Sequence, residues 1–188
     1  ASPTLVSIFS NNTQLRIAGF FGRVNYDWQK KYLLSATFRY DGASNLGSNN
    51  RWGIFPGVSV GWNAHEENFW KSMPKAISSF KLRGSYGVNG NLGGLGDFTA
   101  AGLYNVNNIY NGNGAIFNTQ LANPNLQWEE SKTLNGGFDL GLFEDKVNVI
   151  LDVYNRRTDN LLTSLVLPSN SGISSVLTNL GSLRNKGF

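Results

Sequence analysis

From Phe20 to Trp28 apolar and polar positions alternate. Phe20, Gly22, Val24, Tyr26 and Trp28 are apolar or small, and Arg23, Asn25 and Asp27 are polar. A period of two is that of a two-faced β-strand. After a short turn at Gln29, Lys30 and Lys31 the alternation resumes, with Tyr32, Leu34, Ala36, Phe38 and Tyr40 on one face and Ser35, Thr37, Arg39 and Asp41 on the other. A loop rich in Gly, Ser and Asn runs from Gly42 to about Arg51. A third strand follows, with Ile54, Pro56, Val58, Val60 and Trp62 opposite Gly57, Ser59, Gly61 and Asn63. Pro56 lies near its start, where a missing ladder donor is tolerated. Glu66 to Ser79 breaks the pattern, and Asn68-Phe69-Trp70-Lys71 reads as a helical turn before Pro74.

The fourth strand sets Phe80, Leu82, Gly84, Tyr86 and Val88 against Lys81, Arg83, Ser85 and Asn89. A polar stretch from Gly90 to Pro124 leaves room for a short strand near Leu103–Val106. A fifth strand covers about Gln127–Leu142, with Leu134, Gly136, Phe138, Leu140 and Leu142 on its apolar parity. A tight Glu144-Asp145 turn leads to the sixth, where Val147, Val149, Leu151 and Val153 oppose Asn148, Asp152 and Arg156. A loop spans about Asp159–Thr178. The tail Asn179–Phe188 reads as the approach to a further, incomplete strand.

Connections alternate between short and long, with Glu66–Ser79 the one of medium length. Each alternating segment has about 9–11 residues, the length a tilted strand needs to cross a bilayer. Aromatics gather at the short-turn ends: Tyr26, Trp28 and Tyr32, then Trp62 and Phe80, then Phe143. That placement suits a headgroup girdle. The pattern alone favours an antiparallel transmembrane barrel and leaves two alternatives, a soluble β-sandwich binding module and a small self-closed barrel.

Composition narrows the chemistry. Among 188 residues there are no cysteines and one histidine, which removes disulfides, cysteine-ligated zinc and any site needing two histidines. Charged residues are 15% and aromatics 13%, against disorder and in favour of a wall that meets lipid on one side. No leader-like segment precedes the strands, and no apolar run is long enough for a transmembrane helix. The net charge of +4 comes from basic residues scattered singly over many strands, which argues against nucleic acid. His65 beside Glu66 and Glu67 reads as a polar residue at a strand end. Glu129 and Glu130 are adjacent on a strand and point to opposite faces, so they form no carboxylate pair. The glycines of Gly90–Gly96 lack the Lys-Ser/Thr ending of a phosphate loop. Asp41, Asn45, Asn49 and Asn50 fit no calcium-loop spacing. No enzyme activity, metal or cofactor is expected.

The order of short words carries more information than the pattern. Gly22-Arg23-Val24-Asn25-Tyr26-Asp27, Lys31–Thr37 and Arg39-Tyr40-Asp41-Gly42-Ala43-Ser44 come first. Asn50-Arg51-Trp52-Gly53-Ile54-Phe55-Pro56, Val58–Trp62 and Phe80–Gly87 follow. Then come Asn123-Pro124-Asn125-Leu126-Gln127-Trp128-Glu129, Phe138–Gly141, Asp152–Asn155, Asp159–Leu162, Asn179–Gly181 and Arg184–Phe188. In this order they resemble the SusC/RagA family of TonB-dependent outer-membrane transporters. The match covers nearly everything from Gly19. Ala1–Ile17 and Gly90–Leu121 match poorly, and Asn45-Leu46 stands where the family usually has an Arg-Phe pair.

The resemblance implies an all-β fold: a segment of a large antiparallel transmembrane barrel, with short periplasmic turns and long extracellular loops. Family members have about 22 strands and a plugged lumen. The chain would supply about six complete strands from the barrel's C-terminal half, without plug, signal peptide or final strand. Residues 1–188 would be one partial barrel domain. The resemblance further implies the outer membrane of a Gram-negative bacterium and uptake of a glycan or oligopeptide. The partners it implies are a SusD-like surface lipoprotein, TonB-ExbB-ExbD acting through the plug, and outer-membrane lipid. Asn50, Arg51, Trp52, Tyr104, Tyr110 and Trp128, in the outer loops, are the candidate ligand residues, because aromatic faces stack on sugar rings or peptide side chains and Asn or Arg gives directional hydrogen bonds.

Overall fold

The computed structural model describes residues 12–188. The first eleven residues of the poorly matching Ala1–Ile17 segment lie outside them. The described strands are β1 (Ile17–Trp28), β2 (Tyr32–Ala43), β3 (Trp52–Asn63), β4 (Ile77–Asn91), β5 (Leu103–Tyr110), β6 (Asn113–Gln120), β7 (Glu129–Leu142), β8 (Val147–Asp159), β9 (Leu162–Val166), β10 (Ser175–Asn179) and β11 (Ser182–Gly187). Seven of them form one antiparallel sheet in the order β1-β2-β3-β4-β7-β8-β11. β5 with β6, and β9 with β10, form separate hairpins inside the long connections. The sheet therefore has six long strands and a short seventh, as the alternation predicts.

Register keeps each parity on one face. Phe20↔Tyr40, Tyr32↔Trp62 and Leu34↔Val60 lie on the apolar face, and Ser35↔Ser59↔Ser85↔Asn135 run across four strands on the polar face. No second sheet pairs with this one among the described residues, and its apolar face stays exposed. Val58, Val60, Leu82, Leu134, Leu151 and Val153 all remain exposed. An uncovered apolar face of this size is foreign to a soluble sandwich, so the sandwich alternative falls. β1 and β11 do not pair with each other, so the sheet is open and the self-closed barrel falls with it.

The long strands have 12 to 15 residues, longer than the predicted 9–11. Backbone pairing continues past the point where the outward face stops being apolar. Along β7 and β8 that point is marked by Lys132↔Arg157 and Glu130↔Asp159. The apolar face has aromatics at both heights. Trp28 and Tyr32 pack at 6.0 Å, and Trp70 stacks on Phe80 at 6.3 Å, at the short-turn end. Trp52 stacks on Tyr40 at 4.7 Å and on Phe20 at 6.4 Å at the long-loop end. Trp52 and Trp62 bound β3 ten positions apart, which is about 33 Å along the strand and about 25 Å along a membrane normal at a tilt near 40°.

Short turns are closed by side chains as well as backbone. Gln29 and Lys30 both have positive φ, at 55° and 57°, the backbone of a type I′ turn. Neither is glycine, and the Asp27 carboxylate supports the turn by accepting from the Lys30 N–H at 2.7 Å. The connection from β3 to β4 contains a 3-10 turn over Asn68–Ser72, where the helical turn is predicted. From just before it, Glu67 reaches back and accepts from Lys31 Nζ at 3.0 Å and from the Tyr32 hydroxyl at 2.8 Å.

The hydrogen bonds from Lys31, then Tyr32, hold Glu67 below the ordinary glutamate value of 4.5. A depressed carboxylate stabilises the fold above its unfolded pKa, and the benefit is lost as pH falls through the folded pKa. Hydrogen exchange over residues 64–76 should therefore be faster in Glu67→Gln than in the wild type at pH 7. The difference should begin to shrink below pH 4.5 and vanish once the pH has fallen through the lower folded pKa. Equal protection at pH 7 would show that this carboxylate does not tether the turn.

Candidate functional site

The polar face is the first component. Arg83 on β4 faces Gly137 on β7, which faces Asp152 on β8. Because Gly137 has no side chain, the guanidinium crosses it. It donates to Asp139 at 2.8 Å and to Asp152 at 3.2 Å. A Cβ on Gly137 would lie 2.6 Å from the Leu151 carbonyl, so this row requires glycine. Arg156 donates to Thr133 at 3.2 Å and Arg39 pairs with Asp41 at 2.9 Å on the same face. This wall has both charge signs and many small hydroxyls, which suits contact with water and polar solutes.

The second component is a small core at the long-loop end. Ala43, Leu46, Phe55, Leu126 and Trp128 are buried together, Leu126 completely. It forms because β3 and β4 part company there. Their pairing ends at Gly57↔Gly87, one residue from Pro56, which has no N–H to offer a ladder. The Phe55 ring fills the opening and lies over Gly90, where a Cβ would run into it. Trp128 meets Phe55 edge-on at 5.3 Å, and its indole N–H donates to the Arg51 carbonyl at 3.1 Å.

Asparagines bind the loops around this core. Gly47 N–H donates to the Leu126 carbonyl at 2.9 Å, and the Asn49 and Asn50 amides donate to Asn125 at 2.9 and 3.0 Å. On the other side Asn179 acts as a substitute strand partner for Gln127, accepting its N–H and donating to its carbonyl, both at 2.9 Å. Asn123 donates to the Leu177 carbonyl at 2.9 Å. The segment Asn123–Trp128 thus fastens the β2–β3 loop to the β9–β10 hairpin.

The candidate ligand residues divide between two places. Asn50, Arg51, Trp52 and Trp128 come together at this rim. Trp128 is only 8% exposed and already bonded, while Trp52 faces outward with Phe20 and Tyr40. Tyr104 and Tyr110 stand on the β5–β6 hairpin, 65% and 79% exposed. An Asn111-Gly112 turn with φ of 50° and 78° closes that hairpin, and the Gln120 amide ties its base to the carbonyls of Phe98, Thr99 and Ala101. The fastening asparagines Asn123, Asn125 and Asn179 do not stand out by composition; the signals are the word Asn-Pro-Asn ahead of the buried Leu126 and Trp128, and the word Asn179-Leu180-Gly181.

His65 Nδ1 lies 3.1 Å from the Phe80 carbonyl, at a strand end. Glu129 accepts from Asn91 and Glu130 pairs with Lys132, on opposite faces. Among the described residues no three His, Asp or Glu gather as metal ligands.

Comparison with known proteins gives one answer throughout. The family model described as TonB dependent receptor-like, beta-barrel matches residues 1–188. TonB-dependent receptor P39 of Formosa agariphila is 41% identical over 172 residues, which is 92% of the chain and 16% of that relative. TonB-dependent receptor SusC of Bacteroides thetaiotaomicron is 37% identical over 183 residues, 94% of the chain and 18% of SusC. The RagAB peptide importer in its open-open state superposes with a TM-score of 0.82 at 29% identity, over 92% of the chain and 19% of the solved one. The chain spans under a fifth of the length of each of these proteins.

Proposed function

Since the chain belongs to the TonB-dependent receptor-like β-barrel family, we propose that it is one stretch of the wall of a larger nutrient importer in the outer membrane of a Gram-negative bacterium. The observation that carries this reading is the two-faced open sheet. Its outward face is apolar, on β1 to β3 between two aromatic rows, and its inward face has the Arg83–Asp139–Asp152 network. A sheet of this kind separates lipid from a polar passage. The family is one of receptors and transporters, and the chemistry assigned to this stretch is containment and recognition.

The cargo is a glycan or an oligopeptide. The peptide importer RagAB supports the oligopeptide, and the resemblance to the SusC/RagA family supports the glycan. A SusD-like surface lipoprotein would lie over the long-loop end. TonB, ExbB and ExbD would act through a plug supplied elsewhere in the parent protein. Tyr104 and Tyr110 offer free rings to the cargo. Asn50, Arg51, Trp52 and Trp128 hold the rim that frames it.

The test compares cells with and without the full-length gene for uptake of labelled oligosaccharides and labelled oligopeptides. Loss of one class is expected. In the full-length protein, Tyr104→Ala combined with Tyr110→Ala should weaken binding of that class by about tenfold, from two lost stacking contacts. Uptake unchanged by gene deletion would refute the transport reading.

A further inference from the structure

The outward face does not end in the same way across the sheet. On β1 to β3 its upper limit is aromatic, at Phe20, Tyr40 and Trp52. On β7, β8 and β11 the same height has charge. Lys132 lies directly opposite Arg157, and Arg157 directly opposite Arg184, so three cations form one row over three adjacent strands. All three share the parity of Leu134, Leu151 and Val153, which face lipid. Lys186 lies one step below, opposite Asn155 on that face.

Like charges directly opposite one another across a sheet are destabilising, so such a row needs anions. The chain supplies two. Asp159 pairs with Arg157 at 2.7 Å and with Lys132 at 3.5 Å, and Glu130 pairs with Lys132 at 3.2 Å. Both carboxylates sit on the side away from the membrane. Arg184 has only the Asn155 amide oxygen, at 2.9 Å, and neither Arg184 nor Lys186 has a carboxylate partner among the described residues. Among the described residues four cations share two carboxylates, and Arg184 and Lys186, on the border strand, have neither.

Height points to the kind of anion this row meets. Arg157 is ten positions above Val147, the first outward residue after the short turn. At about 3.3 Å per residue and a tilt near 40° that is about 25 Å along the normal, the full height of an apolar band. The guanidinium and ammonium groups thus emerge where lipid phosphates begin.

We infer that the row Lys132–Arg157–Arg184, with Lys186 beneath it, is a binding site for the anionic phosphate headgroup of an outer-leaflet lipid. The inference rests on the membrane reading above. Arg supplies bidentate donors to phosphate oxygens and Lys a point charge. Lys186 rises along its own methylenes toward the same level.

The test titrates the full-length protein in neutral detergent with phosphatidic acid and, separately, phosphatidylcholine, and reads bound lipid by native mass spectrometry. Phosphatidic acid should bind in preference. Lys132→Gln, Arg157→Gln and Arg184→Gln together should weaken it at least about tenfold. The charge-conserving set Lys132→Arg, Arg157→Lys and Arg184→Lys should retain it, which separates lost charge from lost folding. Equal binding by the glutamine variant, or equal affinity for the two lipids, overturns the site. Quenching of tryptophan by brominated lipid in neutral bilayers tests the membrane reading on its own. Quenching with unchanged phosphatidic acid binding removes only the lipid site, and absence of quenching removes both.

Discussion

Alanine at Trp128 should loosen the whole long-loop end, at a cost of about 3–5 kcal/mol, the range for deleting a large buried aromatic. Trp128 closes the only buried cluster among the described residues, against Phe55 and next to Leu46 and Leu126. Its loss opens a cavity and leaves the Arg51 carbonyl without the indole donor. Because Arg51 ends the loop that Asn49 and Asn50 fasten to Asn125, the effect should spread to Ser44–Arg51. Amide exchange there should accelerate at least about a hundredfold in the full-length protein. Trp128→Phe keeps the ring contact and loses one hydrogen bond, so about 1 kcal/mol is expected. Unaltered protection of the loop in Trp128→Ala would show that the cluster is not what holds it.

Arginine at Leu151 is the second large effect. Leu151 faces outward opposite Phe138, four positions above Val147, near the middle of the apolar band. A cation there should destabilise the barrel by about 2–4 kcal/mol. Ser59→Arg is the matched control. Ser59 faces the lumen in a row of small polar residues with Ser35 and Ser85, where a long side chain has room and water. Its effect should stay within about 0.5 kcal/mol. Urea unfolding of the full-length protein from lipid vesicles distinguishes the two. Similar losses for both variants would mean that the assignment of faces is wrong.

The wall was legible in the sequence because each of its strands presents one continuous environment on each side. Val147, Val149, Leu151 and Val153 declare a strand through period two alone. Pairing order was legible too, since short turns such as Gln29-Lys30 join neighbours. What the alternation does not show is where a strand stops when its outward side chains become charged. Lys132, Arg157 and Asp159 continue the ladder although they no longer continue the pattern. The β5–β6 hairpin had a readable signal in Asn111-Gly112, whose two residues favour the positive φ of a type I′ turn. Its flanking strands are so polar that the signal is muted. β9 and β10 have no comparable mark. The rim is hardest to read, since Asn123, Asn125 and Asn179 act over separations of about 50 to 80 residues. Each amide looks like ordinary loop polarity until its partner is known. For the six candidate ligand residues, sequence could put them near the outer end but could not distinguish an indole buried under a loop from a phenol standing in solvent.

The open borders of the sheet have a kinetic meaning. In hydrocarbon an unbonded peptide group costs several kcal/mol, and β1 alone has twelve residues, of which the described ladder serves one side only. A seven-strand piece therefore cannot enter a bilayer ahead of its neighbours and wait there. Insertion and the zipping of both borders must advance together, with the strands held in water or by an assembly factor until the last pair of edges meets. Variants that slow the pairing of β1 or β11 should then accumulate unassembled precursor, even where the finished barrel is as stable as before.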